Sequence, residues 1–314
     1  MGLSDLGKIP VILGATAVGK SAVAIELAKQ INGEIISCDS RQIYKFMDIA
    51  TAKPAKHELR AVKHHLIDII EPNEEYSAAK WANDCSAAIA EIKSRGKTPI
   101  ICGGTFFYIE ALKNGFDISG GQNSQLREEL LQFREKHGNE ELHKLLREKN
   151  PERAAQLHIN DTNRIIRALQ IESGEKSVFP ANEIEKDFAY FILSLPREKL
   201  YERINSRVDK MISDGLFDEY CEICEKYPEK NTAGRNCVGY REFDEYAAQN
   251  CDFDNAVNLI KQHSRNFAKR QRTWLRNRFA GKRVIDVEKE NYNAEKIAQT
   301  IGNIVFYADG TGEY

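Results

Sequence analysis

The sequence predicts an α/β protein: a parallel sheet with flanking helices and an all-helical insertion domain. Three observations carry this. Short apolar runs recur at residues 11–13, 34–38, 66–70, 98–102, 190–195 and 283–287. Most are continuous rather than alternating, as strands covered on both faces are. The segments between them are long enough for crossover helices, so βαβ units follow. Between Gly115 and Asp187 no strand-like run occurs, and residues 124–136, 140–149 and 161–173 read there as successive helices. The breakers Ser119-Gly120-Gly121 precede this block, and Ser173-Gly174 follows its last helix. The division expected is a core of residues 1–116 and 188–314, with residues 117–187 inserted between its fourth and fifth strands. After Pro196 come further helices, ending in a long one over about residues 254–278. Residues 307–314 read as a frayed end.

Composition narrows the function classes. The chain has 314 residues, 42% of them apolar, which suits a folded enzyme and excludes wholesale disorder. Lys and Arg number 45 against 47 Asp and Glu, a net charge of −2. A nucleic-acid site must therefore be a local patch. Seven scattered cysteines make no disulfide framework and fit free thiols in a reducing compartment. No apolar run approaches a membrane span. Met1-Gly2-Leu3-Ser4-Asp5-Leu6 carries no signal-peptide pattern, so a cytoplasmic protein is expected.

Gly14-Ala15-Thr16-Ala17-Val18-Gly19-Lys20-Ser21 fits G-x-x-x-x-G-K-[ST] at every required position. A buried strand precedes it and a helical run follows. In that setting backbone amides converge on a phosphate and the helix N-terminus adds its dipole. Lys20 supplies a point charge, and the Ser21 hydroxyl is placed to coordinate Mg2+. The expected fold is therefore P-loop NTPase-like. The loop does not say which phosphate compound it holds; any pyrophosphate satisfies the same amides.

Asp39 follows the second strand. Ligands of open parallel sheets bind beyond the carboxyl ends of the strands, so Asp39 is expected beside the phosphate loop. Such an aspartate can be a Mg2+ ligand, a general base or a helix N-cap. From Asn255 to Ile285 there is no Asp or Glu, but there are nine Lys and Arg. Arg265, Lys269, Arg272 and Arg276 are spaced four, three and four apart, on one helix face. Ile260, Phe267 and Trp274 repeat every seven residues near the opposite, apolar side. A solvated amphipathic helix and an RNA-contacting helix both fit this pattern.

Asp39-Ser40-Arg41-Gln42-Ile43-Tyr44-Lys45-Phe46-Met47-Asp48-Ile49-Ala50-Thr51-Ala52-Lys53-Pro54 resembles the signature of the tRNA dimethylallyltransferase (isopentenyltransferase) family. Other segments match in order: His64-His65-Leu66-Ile67-Asp68, Gly103-Gly104-Thr105-Phe106-Phe107-Tyr108, Asp161-Thr162-Asn163-Arg164-Ile165-Ile166-Arg167-Ala168-Leu169, Val238-Gly239-Tyr240-Arg241-Glu242 and Ala268-Lys269-Arg270-Gln271. Phe46 and Ala50 stand where the family usually has glycine, and Phe106 is bulkier than its usual residue; these departures bear on pocket shape.

The resemblance implies transfer of a dimethylallyl group from dimethylallyl diphosphate to N6 of adenosine 37 in tRNA, with pyrophosphate leaving. It implies Asp39 as the base, with Thr105 and Lys20 as further catalytic residues. Gly14, Ala15, Thr16, Ala17, Val18, Gly19, Lys20, Ser21 and Arg207 would hold the diphosphate, with Arg203 a rival to Arg207. Mg2+ would sit on Ser21. For the tRNA anticodon stem-loop it implies Asp39, Ser40, Arg41, Gln42 and Thr105, then Arg127, Asn163, Arg164 and Arg167 of the insertion, which becomes a tRNA-binding domain. Asn236, Gly239, Tyr240, Arg241, Arg265, Lys269, Arg270 and Gln271 complete that set. A monomer is expected, since no coiled-coil pattern asks for a dimer. Two other readings use the same loop: a small-molecule kinase, which gives the basic helix no role, and a tRNA-binding relative with weak catalysis. Cys221-Glu222-Ile223-Cys224 lacks the second ligand pair that structural zinc needs, and His64 and His65 suit a packing or turn role.

Overall fold

Ile9–Gly14 (β1) has all six residues buried, and it lies in the middle of a parallel sheet rather than at its edge. The computed structural model describes residues 8–117, 123–174, 178–179, 187–229 and 232–307. The breakers Ser119-Gly120-Gly121 and residues 308–314 lie outside the described residues. The chain divides into two compact units: Met1–Ile109 with Ile184–Tyr314, and Glu110–Glu183.

In chain order the elements after β1 are α1 (Lys20–Gln30), β2 (Gly33–Cys38), α2 (Lys56–Ala61), β3 (His64–His65), α3 (Ala78–Ser94), β4 (Thr98–Gly103) and α4 (Phe106–Asn114). There follow β5 (Phe116–Asp117), α5 (Ser124–Lys149), α6 (Pro151–Ala155), α7 (Thr162–Ser173) and β6 (Val178–Phe179). The chain then continues with β7 (Phe188–Ser194), α8 (Arg197–Ser213), α9 (Leu216–Lys226), α10 (Tyr240–Ala247), α11 (Phe253–Arg278), β8 (Arg283–Asp286) and α12 (Ala294–Tyr307).

The larger unit holds a six-stranded sheet in the order β3-β2-β4-β1-β7-β8, with every pairing parallel. Helices α1 and α12 cover it through Leu27, Ala298 and Ile301, all fully buried. On α3, Trp81 is fully buried, and its indole N–H donates to the Ser37 carbonyl at 2.9 Å. That bond satisfies a donor that burial would otherwise orphan. Because β4 lies between β2 and β1, the loops leaving all three strands emerge side by side. A second cluster joins α8, α9, α10 and α11 through Val208, Leu216, Tyr220, Tyr240, Phe243 and Ile260.

The third strand departs from the expected position. Residues 66–70 are apolar except for Asp68, but Leu66 and Asp68 have φ of 61° and 55°, which no extended strand tolerates. Pairing with β2 stops at His64–His65, and Ile70 instead bridges Tyr44. His64 Nδ1 lies 2.8 Å from the Val62 carbonyl, and His65 Nε2 lies 2.6 Å from buried Glu34. Both histidines therefore have packing and turn roles.

In the smaller unit, α5, α6 and α7 pack around Leu142, Leu146, Leu157, Ile165 and Leu169. Gly138 (φ 85°, ψ 174°) breaks α5 near its middle, as two successive helices require. The expectation of no strand between Gly115 and Asp187 is corrected: β5 and β6 form a short antiparallel ribbon. Two residues per strand are too few to show a period in the sequence.

Candidate active site

The loop after β1 is set by backbone conformations that its glycine supplies. Gly19 caps α1 with φ of 107°, a region closed to most side chains, and Ala17 also has positive φ. Lys20 folds back so that Nζ donates to the Ala15 carbonyl at 2.8 Å. Burial pushes the Lys20 ammonium below its usual range; Cys102 and Asp39 pull it back, while Arg207 pushes it further down. Arg207, on α8, donates to the Thr16 hydroxyl at 3.2 Å, and burial lowers its pKa too, against Asp39. Two crowded cations thus face the loop, and a bound anion would relieve both.

The loops after β2 and β4 lock to each other. The Gly104 and Thr105 amides both donate to the Cys38 carbonyl, at 3.1 and 3.0 Å. The Thr105 hydroxyl accepts from the Ser40 amide at 2.9 Å and donates to the Ser40 hydroxyl at 3.3 Å. Asp39 Oδ1 accepts from the Arg41 amide at 2.8 Å. This is an Asx turn rather than a helix cap, because residues 40–43 form turns and no helix starts there.

These groups line one cavity of about 430 Å³. Asp39, Ser40, Arg41, Thr105, Thr16, Ala17 and Arg207 form its polar end, and Asn236, Gly239, Arg241 and Arg270 also border it. A neighbouring cavity of about 250 Å³ is lined by Gly19, Lys20, Ser21, Arg203, Ala17 and Arg207. Ala17 and Arg207 belong to both cavities, so the phosphate loop separates two spaces that share an arginine. Both candidate arginines, Arg203 and Arg207, border the loop. The side chains of Ala15 and Val18 are buried, which leaves their backbone as the part available to a phosphate.

Of the residues expected at the RNA, Gln271 and Tyr240 are buried, Gln42 is half-buried, and all three have partners within the chain. Gln271 is buried; its Nε2 donates to the Gly104 carbonyl at 2.9 Å and its Oε1 accepts from the Thr16 amide at 2.8 Å. It staples the phosphate loop to the β4–α4 turn. A Cβ on Gly104 would approach its Nε2 to 2.5 Å, so residue 104 has room only for glycine while the staple is in place. Tyr240 is fully buried and its hydroxyl donates to Glu219 at 3.0 Å. Gln42 spends its amide on the Thr51 and Ala52 carbonyls, at 3.3 and 3.1 Å, and accepts from the Ser37 hydroxyl at 3.2 Å. Each side chain was legible as polar, but no local pattern names its partners.

The basic helix α11 also divides differently from its spacing. Its buried residues are Ala256, Ile260, Ala268, Gln271 and Leu275, while Phe267 is 40% exposed and lines the cavity that Asp39 lines. Arg265 donates to the Asn205 side chain at 2.7 Å. Arg270 sits over the Phe267 ring at the same cavity. Lys269, Arg272 and Arg276 border a separate space of about 600 Å³ floored by Leu193, Leu275 and Phe279. In the smaller unit, Arg127 donates to the exposed Asn163 at 3.0 Å, Arg164 pairs with Asp161 at 3.3 Å, and Arg167 is half-buried.

The donor set can be tested for Mg2+. Among the described residues no group of three His, Cys, Asp or Glu side chains is arranged to hold a metal ion. Ser21 is exposed in the first turn of α1, beside Lys20. One hydroxyl completed by substrate phosphate oxygens and water is the coordination Mg2+ favours, so the residues fit.

Comparison with known proteins agrees with this geometry. A family model described as IPP transferase matches residues 42–278. The tRNA dimethylallyltransferase of Chloroherpeton thalassium is 42% identical over 93% of this chain and 94% of its own. That of Acetivibrio thermocellus is 38% identical over 96% and 97%. The full-length tRNA isopentenylpyrophosphate transferase of Bacillus halodurans superposes with a TM-score of 0.68 at 36% identity, covering 95% of this chain and 97% of that one. A eukaryotic dimethylallyltransferase solved acting on tRNA gives a TM-score of 0.77 at 26% identity, over 98% of this chain and 81% of that chain. With the phosphate loop, the Asp39 turn and the matched residues in one framework, the chain belongs to the IPP transferase family.

Proposed function

We propose that this chain transfers a dimethylallyl group from dimethylallyl diphosphate to N6 of adenosine 37 in the anticodon loop of tRNA, releasing pyrophosphate. Relatives similar over nearly their whole length are named tRNA dimethylallyltransferases. One observation carries the chemistry: a carboxylate, Asp39, lines the same cavity as Arg207 and as Thr16 and Ala17 of the phosphate loop.

The allylic C–O bond breaks and its electron pair leaves on pyrophosphate. The loop amides, Lys20 and Arg207 meet the charge that develops on the leaving oxygens. The adenine N6 lone pair forms the new C–N bond. That amine is a weak nucleophile, so loss of its proton must accompany bond formation, and Asp39 takes that proton. Thr105 keeps the Asp39–Arg41 turn in place through its bonds to Ser40. Mg2+ bound at Ser21 would add positive charge to the diphosphate. The target adenine must leave its stack to reach the cavity. Arg241 and Arg270, at the cavity, are placed to meet the flanking backbone.

The test is direct. Purified protein is incubated with Mg2+, dimethylallyl diphosphate and unmodified tRNA, and the digested nucleosides are weighed. The expected product is adenosine heavier by one dimethylallyl group. No product beside a working positive control would refute the reading, and ATP turnover in a parallel tube would favour the kinase.

A further inference from the structure

Glu219, in the first turn of α9, was not singled out by sequence, yet it grips a loop that borders the cavity. Its Oε2 accepts from the amides of Asp48 and Ile49, at 2.7 and 2.6 Å. Its Oε1 accepts from the Ala50 amide at 2.9 Å and from the Tyr240 hydroxyl at 3.0 Å. One carboxylate thus satisfies three successive backbone donors of an irregular loop and ties them to α10. Bonds from neutral donors to an ionised acceptor are the stronger class. No helix or strand runs through residues 46–53, and Phe46 and Ala52 both have positive φ. Gln42 holds the Thr51 and Ala52 carbonyls, while the Asp48, Ile49 and Ala50 amides are held by Glu219.

The held segment faces the reaction space. Ala50 lines the cavity that Asp39 and Arg207 line, together with Met211 and Leu216. Ala50 and Met211 pack against the same apolar cluster that contains Leu216. Helix α8 runs from Arg207, at the phosphate loop, to Met211 four residues on, about 6 Å along its axis. That span is comparable to a five-carbon chain. With the diphosphate at Arg207, the donor tail would run along Val208 toward Met211 and end against Ala50.

We propose that Glu219 is a positioning residue which, by gripping the Asp48–Ala50 amides, fixes the end wall of the donor slot and so limits the length of the allylic chain transferred. This rests on the prenyl-transfer reading above. Releasing the loop lets Ala50 withdraw, and a longer allylic tail then fits. Filling the slot at Ala50 has the opposite effect.

The experiment compares dimethylallyl and geranyl diphosphates, both on tRNA, in wild type, Glu219→Ala, Glu219→Gln and Ala50→Val. The ratio of the two kcat/KM values should favour dimethylallyl in wild type and fall about ten-fold or more in Glu219→Ala. Glu219→Gln keeps one acceptor oxygen and should fall less. Ala50→Val should raise KM for dimethylallyl diphosphate while the affinity for inorganic pyrophosphate, which needs no tail slot, stays at the wild-type value. An unchanged ratio in Glu219→Ala, or equal loss for both donors, would overturn the proposal. If Glu219→Ala does not fold, the Ala50→Val result decides: an unchanged KM removes Ala50 from the wall. Wild-type protein that modifies tRNA with neither donor would instead sink the prenyl-transfer reading, and this inference with it.

Discussion

Removing the Gln271 staple tests how the phosphate loop is held. In Gln271→Ala the Thr16 amide loses its acceptor at 2.8 Å, and the Gly104 carbonyl loses its donor at 2.9 Å. Each buried group left without a partner costs about 1–3 kcal/mol. Water entering the vacated space recovers part of that, so a net loss of about 3 kcal/mol is reasonable. Spread over the unfolding entropy of 314 residues, that lowers the midpoint by about 5 °C. The functional effect is separate. Thr16 anchors the loop between Arg207 and the β4–α4 turn, so its release should weaken pyrophosphate binding about ten-fold. Thermal unfolding followed by circular dichroism measures the first effect; isothermal titration of Mg2+-pyrophosphate into folded variant measures the second. A midpoint within 1 °C of wild type (about 0.7 kcal/mol on the same entropy) together with unchanged affinity would refute the staple argument.

The other expectations concern separate parts of the molecule. Asp39→Asn should lower turnover by about 10²–10⁴ with tRNA affinity nearly intact; single-turnover kinetics and a binding assay separate the two, and retained turnover would remove Asp39 as the base. Lys269 is exposed at the rim of the basic cavity, so Lys269→Ala should weaken tRNA binding and shallow its salt dependence by about one counterion; a salt slope equal to wild type would argue against a phosphate contact there. Burial alone would raise the Glu34 pKa, but hydrogen bonds from His65, Lys97 and Arg95 outweigh it and hold the carboxyl at about 2. A depressed carboxylate pKa gives stability that is present above the unfolded value of 4.5 and is lost as pH falls toward 2. Acid unfolding should accordingly steepen in that window, and Glu34→Gln should flatten it; identical acid profiles would count against the ion cluster.

Much of the framework was readable because it depends on local pattern. Continuous apolar runs marked the strands that lie in the sheet interior, where both faces are dry. Residues 66–70 misled for the same reason: four of the five are apolar, yet two positive φ angles bend the chain there. The phosphate loop was legible because its glycine, lysine and serine are contiguous and each answers a local demand. Asp39 and Thr105 were legible by position, since strand carboxyl ends in a parallel sheet converge. Spacing on α11 was a weaker guide. It grouped four cations on one face but placed Phe267 on the wrong side, because the buried stripe of that helix is shared with a glutamine.

The sequence by itself determined the α/β class, the place of the phosphate loop and the helical run after Gly121, and it marked which candidate residues carry charge. These follow from short-range chemistry: which residues tolerate a tight turn, which alternate with a helical period, which carry charge. The tertiary structure alone decided what Gln271, Tyr240, Gln42 and Glu219 do. Gln271 lies 255 residues from the amide it holds, and Glu219 lies about 170 from its three. A polar side chain announces that it needs a partner but not which one. Only the folded chain, which must satisfy every buried donor and acceptor at once, makes that choice.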